Sequence, residues 1–424
     1  MGKSNSKKKK IYLDYASSSL IGSANPGVIH ELGIKEKNKL ENARAVIAKI
    51  LNANTNEVIF TSGATESNNL AIQGIISYFW ERYSHLGAKL SSEKMPHIIT
   101  TNIEHSSVLE TCKHLEKTKQ AEVTYIKVEK NGIIDSKKIS KALKSNTVLV
   151  SVMYANNEIG TIQPIEEIAK EIRHFKKINN IKNLPTGRQV FFHTDATQAV
   201  NYLPINVCKL GVDLLTFNGA KIYGPKGVGI LYVKRNTPIR KIMFGGDQEF
   251  GLRPGTENVA LAVSISKAFQ MTENMKKKEV KRLIKLRDYF LNKIFKNTSK
   301  SAIAENLVNN KIILNGDLKN RLPNNINITF TKIPSDLLVI ELSARGIMTS
   351  SKSACKSNSK NGSYVIDAIR SAEALLPPAG GSKASAEEIG SLRFSLGRDT
   401  TKADIDYTIK ALSEILHKLK KWYN

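Results

Sequence analysis

Short apolar runs alternate along the chain with longer stretches in which apolar residues recur every three or four positions. Helices are predicted between some of these runs, at 70–80, 108–115 and 164–178, the last opened by Pro164. Continuous β-branched and aromatic runs separated by helices are typical of a mostly parallel sheet that is covered on both faces. The strands of this sheet are predicted at 58–60, 97–100, 123–126, 147–153, 190–192, 212–217 and 228–233.

The pattern changes near residue 260. A long basic helix is predicted at 276–297, and its charge run is interpreted as a solvated face. A strand at 325–330 and helices at 335–344 and 401–419 follow, which indicates a second, smaller α+β domain. Two Pro/Gly stretches predict surface inserts, at 184–187 and 376–381.

Composition sets limits on these interpretations. The 424 residues are 41% hydrophobic and carry a net charge of +26, so a packed core is favoured over disorder. Most of the positive charges are lysines scattered over the helical segments. This favours a Lys-rich background, with weak attraction to acidic partners as the second interpretation and a clustered phosphate-binding surface disfavoured. The first ten residues are predicted to be a disordered basic tail.

The sequence lacks the usual signals for secretion, membrane insertion and metal binding. The basic N-terminus is not followed by an apolar run, and no window holds 18 apolar residues, so neither a secretory signal nor a membrane span is predicted. The three cysteines include no Cys-x-x-Cys pair, so neither a metal site nor a disulfide framework is expected. We expect a cytoplasmic protein.

Three segments carry candidate chemistry. The small residues of 60–69 lie between a strand and a helix and are suited to binding a phosphate, although an ordinary N-cap turn is the alternative. Asp195 ends a buried strand, where a carboxylate needs a cation or a strong donor. Lys221 lies in a turn between two apolar strands, where desolvation would make it a nucleophile and where a surface lysine is the alternative. Together, an acid, a lysine and a phosphate loop meet the needs of pyridoxal phosphate.

Six ordered blocks strengthen this interpretation and resemble the cysteine desulfurases of the NifS/IscS kind, within the class V aminotransferases. The likeness runs from Tyr12 to the C-terminal helix. It implies the type I, aspartate aminotransferase-like pyridoxal-phosphate fold, an α/β architecture. The implied parts are a segment at 11–24 that packs with the small domain, a large cofactor-binding domain at 25–260 and a small domain at 261–424 that carries the Cys355 loop. The blocks are 60–69, 101–105, 156–160, 193–198, 221–227 and 393–398.

The resemblance implies roles at the cofactor ring. Lys221 would form an imine with pyridoxal 5′-phosphate, and Asp195 would face its pyridinium nitrogen. Gln198 would bond to the phenolic oxygen, with Asn157 near the same edge. His105 would stack on the ring and act in proton transfer.

Other residues are implied to hold the phosphate. Ala64 and Thr65 would bind it, and Asn218 offers one further bond. Thr256 would reach the phosphate from the other subunit of a homodimer. Ala220 stands where the family usually has a histidine, so one expected phosphate donor is missing.

The substrate and nucleophile follow from the same resemblance. Arg393, with Asn157 beside it, would anchor the substrate carboxylate, a task that suits its planar fork. Cys355 lies in a polar stretch with a lysine three residues before it and another directly after, which favours the thiolate. Cys112 and Cys208 are interpreted as core residues.

The implied reaction converts L-cysteine to L-alanine. Sulfur would be held as a persulfide on Cys355 and passed to an acceptor protein, either an iron–sulfur scaffold or a tRNA-thiolation relay. Neither a membrane nor a nucleic acid is expected as a direct partner. The alternatives are a selenocysteine lyase, another class V lyase or aminotransferase, or a basic scaffold on a degenerate fold, against which the intact Asp195 and Lys221 argue.

Overall fold

The computed structural model describes most of the chain. The predicted tail at 1–10, the two Pro/Gly inserts and Cys355 lie outside the described residues, as does most of 11–24. The described residues are 14, 16–17, 24–85, 95–179, 189–295, 312–331, 333–351, 363–371 and 389–420.

A seven-stranded sheet forms the larger part of the molecule and confirms the predicted parallel arrangement. Its strands lie in the order β1-β7-β6-β5-β4-β2-β3, and every neighbouring pair is parallel except the two that include β7. The strands are β1 (Val58–Thr61), β2 (His97–Thr101), β3 (Glu122–Ile126), β4 (Thr147–Ser151), β5 (Phe191–Asp195), β6 (Leu214–Asn218) and β7 (Gly229–Val233).

Helices cover both faces of this sheet. Consecutive strand residues enter opposite cores: Ile59 packs in one cluster and Phe60 in the other, and Phe191 and Phe192 divide in the same way. This division follows from the two-residue period of a strand. The helices of this part are α1 (Glu31–Leu51), α2 (Ala64–His85), α3 (Ser106–Lys117), α4 (Ser136–Ala142), α5 (Ile165–Ile178) and α6 (Val207–Leu210).

A second, antiparallel sheet follows in the order β10-β9-β8. It packs with helices around its own apolar cluster, which includes Ile328, Leu392 and Ile415. The strands are β8 (Ile312–Leu314), β9 (Asn325–Thr331) and β10 (Ile389–Ser395), and the helices after α7 (Val259–Phe295) are α8 (Ser335–Ser343), α9 (Tyr364–Ser371) and α10 (Lys402–Lys420).

Helix α7 joins the two cores. It has 37 residues and begins well before the predicted start at 276. Ile265 and Phe269 in its first half pack in the core of the large sheet, whereas Leu283 and Phe290 pack in the core of the small sheet. Val365 of α9 also packs in the large core. The division of the chain near residue 260 therefore stays a prediction.

The described part of the chain contains neither a candidate membrane span nor a candidate metal cluster. None of its helices has the length and apolar character needed to cross a bilayer. Among the same residues, no group of three or more His, Cys, Asp or Glu side chains is arranged to hold a metal ion.

One buried ion pair anchors the start of the large sheet. Arg44 of α1 donates to both carboxylate oxygens of Glu249, at 2.7 and 2.8 Å, and also to the carbonyl of Val58. The amide of Phe60 donates to the same carboxylate at 2.8 Å. Glu249 and Phe250 both have positive φ, so this turn adopts an unfavourable backbone conformation that the buried contacts stabilise.

We predict that Glu249→Gln lowers the free energy of unfolding by about 3 kcal/mol, because it leaves the Arg44 guanidinium buried without its counter-charge. Glu41→Gln is the matched control, since Glu41 also contacts Arg44 but is exposed, and we expect a loss of less than about 1 kcal/mol. Urea denaturation of both variants measures the difference. Equal losses would contradict the assignment of Glu249 as the buried partner on which this turn depends.

Candidate active site

A cavity of about 560 Å³ lies where the carboxyl ends of several parallel strands meet residues of β10. Strands β6, β5, β4 and β2 lie side by side in this order in the sheet, so the segments that follow them converge at one edge. The sequence-predicted site residues that line this cavity are Ala64, Thr65, His105, Asn157, Asp195, Gln198, Asn218, Lys221 and Arg393.

Asp195 ends β5 at the floor of the cavity. Its side chain is 5% exposed and accepts two hydrogen bonds, from Asn68 Nδ2 at 2.8 Å and from the Thr197 amide at 2.9 Å. Two donors stabilise a carboxylate that has been removed from most of its water. The sequence predicted that this acid needs a strong donor. The carboxylate also faces the cavity, in which a cation can bind.

His193 lies behind Asp195 on the same strand and supports it. Its ring is fully buried, with Nδ1 2.8 Å from Ser151 Oγ and Nε2 3.1 Å from Thr216 Oγ1. Burial lowers the pKa of His193 to about 4, although the charge of Asp195 opposes this. His193 is therefore a neutral link between β4, β5 and β6.

Lys221 ends a single helical turn after β6. Asn218 caps this turn, because its side-chain oxygen accepts a hydrogen bond from the Lys221 amide at 3.2 Å. The carbonyl of Lys221 accepts from Asn201 Nδ2. Lys221 is exposed and lines the cavity, and its desolvation stays a prediction. A lysine in this position is accessible to a bound carbonyl compound.

The phosphate loop lies between β1 and the first turn of α2. Gly229 of β7 faces Thr61 across the sheet, and a Cβ on Gly229 would lie 2.5 Å from the carbonyl carbon of Gly63. Only glycine allows the loop to pass this close to β7. The loop thereby presents the start of α2, with Ala64 and Thr65, to the cavity.

A second segment, which contains Arg253, stabilises this loop through Glu66. The Glu66 carboxylate accepts from the Ser62 amide at 2.7 Å and from Arg253 Nε at 3.0 Å. Burial alone would raise the pKa of Glu66, but the hydrogen bonds from Ser62 and the charge of Arg253 lower it below its usual value. Thr256, three residues beyond Arg253, is exposed and is absent from the described residues that line the cavity.

His105 begins α3 as its N-cap residue. Its Nδ1 accepts from the Ser107 amide at 3.2 Å and lies 2.8 Å from Ser107 Oγ. Asn68, from α2, donates to Ser107 Oγ at 2.8 Å as well as to Asp195. Sequence reasoning missed Asn68 and Ser107, because polar residues at the start of a helix are usually caps or surface positions. The available signals were that Asn68 lies in the block 60–69 and that Ser107 follows the block 101–105 by two residues.

Glu104, directly before His105, is fully buried. Both of its carboxylate oxygens accept from the Met153 amide at 3.0 Å, and one accepts from Thr101 Oγ1 at 2.7 Å. Burial raises the pKa of Glu104 to about 8, and the charge of Asp195 adds to this while the hydrogen bonds oppose it. Glu104 is thus a buried acid that joins the ends of β2 and β4.

Arg393 brings the second sheet to the cavity. Its Nη1 donates to the carbonyl of Asn157 at 2.9 Å. Burial lowers the pKa of Arg393, and the charge of Glu158 opposes this. The Arg393 Nε and the Asn157 Oδ1 are buried without a hydrogen-bond partner among the described residues. A donor and an acceptor left in this state at a cavity wall are suited to a polar ligand such as an amino acid.

The three cysteines have different positions. Cys112 is fully buried in the core, as predicted, and burial raises the pKa of its thiol. Cys208 is exposed, so its assignment to the core is wrong. Helix α6 has only four residues and buries Val207 and Leu210, which leaves Cys208 on its outer side. Cys355, the predicted nucleophile, lies outside the described residues.

Comparison with known proteins assigns the chain to a class. The profile of the aminotransferase class-V family matches residues 9–408, so the chain belongs to this family. The family and its cysteine desulfurase members depend on pyridoxal 5′-phosphate. Two relatives are the cysteine desulfurases IscS of Dictyoglomus turgidum and Methanosarcina thermophila. The first is 39% identical over 97% of this chain and 96% of that protein, and the second is 38% identical over 93% and 86%.

Solved structures agree with this assignment. A NifS-like protein aligns with a TM-score of 0.75 and 32% identity over 93% of this chain and 92% of its own. SspA, solved in complex with cysteine, aligns with a TM-score of 0.64 and 32% identity over 88% and 90%. These findings confirm the predicted family and the type I fold.

We predict that the stability of the protein falls between pH 6.5 and 8 through Glu104. A group whose pKa rises on folding stabilises the protein below its unfolded pKa, and this stability is lost as the pH rises through its folded pKa. Glu104→Gln imitates the protonated carboxyl, so we expect it to weaken the pH dependence by about 1 kcal/mol over this window. Calorimetry at both pH values measures this. The exposed Glu122→Gln is the control, and an unchanged slope in Glu104→Gln would contradict the assignment.

Proposed function

We propose that this protein is a pyridoxal-phosphate-dependent cysteine desulfurase, which converts L-cysteine to L-alanine and holds the sulfur on Cys355. The observation that carries the proposal is the meeting of Asp195, Lys221, the phosphate loop and Arg393 in one cavity. The likeness to desulfurases over nearly the whole chain supports the choice of substrate. The cytoplasm is the proposed location, since it keeps thiols reduced.

The residues present fit pyridoxal 5′-phosphate. Asp195 offers a buried, doubly hydrogen-bonded carboxylate for a cationic ring nitrogen, and Lys221 offers an accessible amine. The orphaned Oδ1 of Asn157 marks a polar edge left open at the same wall. When bound, the cofactor supplies a carbonyl carbon to which amines add and a ring that withdraws electrons from the amino acid's Cα.

Other residues of the cavity wall contribute to binding the ring. Gln198 and Asn157 would hold the ring at its phenolic oxygen, and His105 would pack against its face and move a proton there. Lys221 would supply the amine that binds the cofactor and gives way to the substrate amine. Asp195 and Lys221 follow the neighbouring strands β5 and β6, and His105 follows β2 on the other side of β4, so the ring would lie between them at one edge of the sheet.

The phosphate is bound at the start of α2. The backbone amides of Ala64 and Thr65 and the helix dipole favour a dianion there. Asn218 lines the cavity in place of the missing histidine donor and contributes one further hydrogen bond. Ala220, which also lines the cavity, contributes none.

A homodimer completes this phosphate site. Thr256 is exposed beside a loop whose apolar side chains are also exposed: Phe244 at 83% and Phe250 at 55%. Exposed apolar groups of this size mark an interaction surface. We place the phosphate site of the second copy against this surface, with Thr256 as the donor.

The substrate carboxylate binds Arg393. A guanidinium presents two parallel donors to a carboxylate, and the orphaned Nε lies on the side that the Asn157 carbonyl does not occupy. Asn157 therefore both fixes the guanidinium and contacts the substrate. This orients the substrate with its sulfur away from Arg393.

Cys355 accepts the sulfur. Its thiolate attacks the sulfur of the bound cysteine, the S–S bond forms, and the C–S bond electrons return to the carbon that becomes the alanine methyl group. The products, alanine and a Cys355 persulfide, balance cysteine and a thiol without any oxidant. An acceptor protein then takes the terminal sulfur.

We predict that Lys221→Ala and Cys355→Ala fail at different steps. Lys221→Ala should lose both sulfide release and the absorbance change on adding cysteine, because among the described residues no other lysine lines the cavity. Cys355→Ala should lose sulfide release but keep the absorbance change, because substrate binding does not need the thiol. Lys226→Ala, an exposed lysine in the same segment, is the control. Normal sulfide release by Cys355→Ala would refute this mechanism.

We predict that the sites are composite. Mixed dimers of Lys221→Ala chains with Thr256→Ala chains should recover about a quarter of wild-type sites, since half of the dimers are mixed and each restores one site. Mixtures of Lys221→Ala with Asp195→Ala should recover nothing, because those two residues serve the same cavity. Sulfide release after co-refolding measures both, with light scattering to verify the dimer. No recovery in the first mixture would contradict the role of Thr256.

A further inference from the structure

Three buried polar side chains connect the floor of the cavity to His105. Asn68 Nδ2 lies 2.8 Å from Asp195 Oδ2 and 2.8 Å from Ser107 Oγ, and Ser107 Oγ lies 2.8 Å from His105 Nδ1. Asn68 is fully buried and Ser107 is 8% exposed. The chain therefore runs through the protein interior, where solvent does not compete for these hydrogen bonds.

The direction of each hydrogen bond follows from the chemistry of its atoms. An amide nitrogen has two hydrogens and no acceptor, so Asn68 donates both to Asp195 and to Ser107. The Ser107 oxygen accepts from Asn68, which leaves its own hydrogen for His105 Nδ1. The Ser107 amide also donates to Nδ1, at 3.2 Å. An imidazole nitrogen that faces two donors acts as the acceptor, so it carries no proton.

The orientation of Asn68 is set by Asp195. Rotating the amide by half a turn would place its oxygen against an ionised carboxylate, which only accepts. The observed orientation leaves Asn68 Oδ1 buried without a partner among the described residues. A buried carbonyl oxygen without a donor costs free energy. The hydrogen bond from Asn68 to Asp195 therefore stabilises this orientation by more than that cost.

We propose that Asn68 is a positioning residue that holds Asp195 and, through Ser107, fixes His105 as the tautomer with its proton on Nε2. Nε2 lies on the opposite side of the imidazole ring from Nδ1, so this tautomer carries its proton away from Ser107. The inference rests on the proposed function, because it takes Asp195 and His105 as the residues on either side of the bound ring. It adds that the side-chain amide of Asn68 both positions Asp195 and fixes the tautomer of His105.

The test compares the tautomer with cofactor binding. Nitrogen-15 NMR of the eight histidines in labelled holoenzyme, with His105→Gln to assign the signal, reports which ring nitrogen carries the proton. We expect Nε2–H in the wild type and a partial shift towards Nδ1–H in both Ser107→Ala and Asn68→Ala, because the shorter hydrogen bond from the Ser107 hydroxyl is lost or released and only the longer one from the residue-107 amide, at 3.2 Å, still favours Nε2–H. Equilibrium dialysis should show cofactor affinity reduced about tenfold in Asn68→Ala, as for loss of a hydrogen bond to a charged group, and changed less than about twofold in Ser107→Ala.

Controls separate this role from general support of the fold. Ser106→Ala removes a neighbouring hydroxyl on the same turn and should change neither measurement, whereas Ser107→Thr keeps the hydroxyl and should retain Nε2–H. If Asn68→Ala does not fold, Asn68→Ser takes its place in the dialysis, and the two Ser107 variants decide the tautomer alone. A proton on Nδ1 in the wild type, or an unchanged tautomer in Ser107→Ala, would overturn the proposal.

Neither measurement uses cysteine as a substrate. An enzyme that releases sulfide but carries the His105 proton on Nδ1 would overturn this inference and leave the proposed function standing. A protein that has the expected tautomer but releases no sulfide from cysteine would overturn the proposed function and leave this inference standing.

Discussion

The buried carboxylate of Asp195 is the constraint around which the site is arranged. A charge at the end of a central strand is tolerated only when donors surround it, and the donors here come from α2 and from the turn after β5. Asn68 must face inward to reach Asp195. Thr65 lies one helical turn earlier on α2, so the same rotation of the helix directs its first turn towards the cavity. The acid and the phosphate loop are therefore positioned by one element.

The other half of the site depends on how the second sheet is held against the first. Helix α7 packs in both cores, and its Arg282 donates to the carbonyls of Gly397 and Thr400, each at 2.7 Å. The Tyr223 hydroxyl, two residues after Lys221, accepts from the Arg398 amide at 3.0 Å. The segment after β10 is thus joined to the turn that carries Lys221, which sets the distance between the amine and Arg393.

The residues on either side of 352–362 are also tied to the cavity wall. Ser350 pairs with the backbone of Arg393, at 2.7 and 3.3 Å. On the other side, Ser363 donates to Glu158 and the Tyr364 hydroxyl donates to the Glu104 carbonyl, each at 2.5 Å. The described residues on both sides of the segment that contains Cys355 therefore lie next to the wall of the cavity.

The succession of short apolar runs and helix-period stretches was enough to predict the strands of the large sheet, some of the helices between them and a sheet covered on both faces, because a strand that is buried on both sides has a continuous apolar sequence. Asp195, Lys221 and the phosphate loop were recognisable for a similar reason: each occupies a junction between a strand and a turn or helix. The extent of α7 was not, since its two halves are buried by different cores. The exposure of Cys208 also escaped prediction, because it depends on which side of the short helix α6 packs against the core.

The partners of the polar groups were decided only by the tertiary structure. Asn68 and Ser107 look like ordinary helix-start residues in the chain, and they meet only because α2 and α3 pack on the same face of the sheet. The orphaned atoms of Arg393 and Asn157 likewise depend on two sheets meeting at a cavity. Sequence periodicity specifies which side of an element is buried, whereas the direction of a hydrogen bond between distant elements depends on strand order and helix packing.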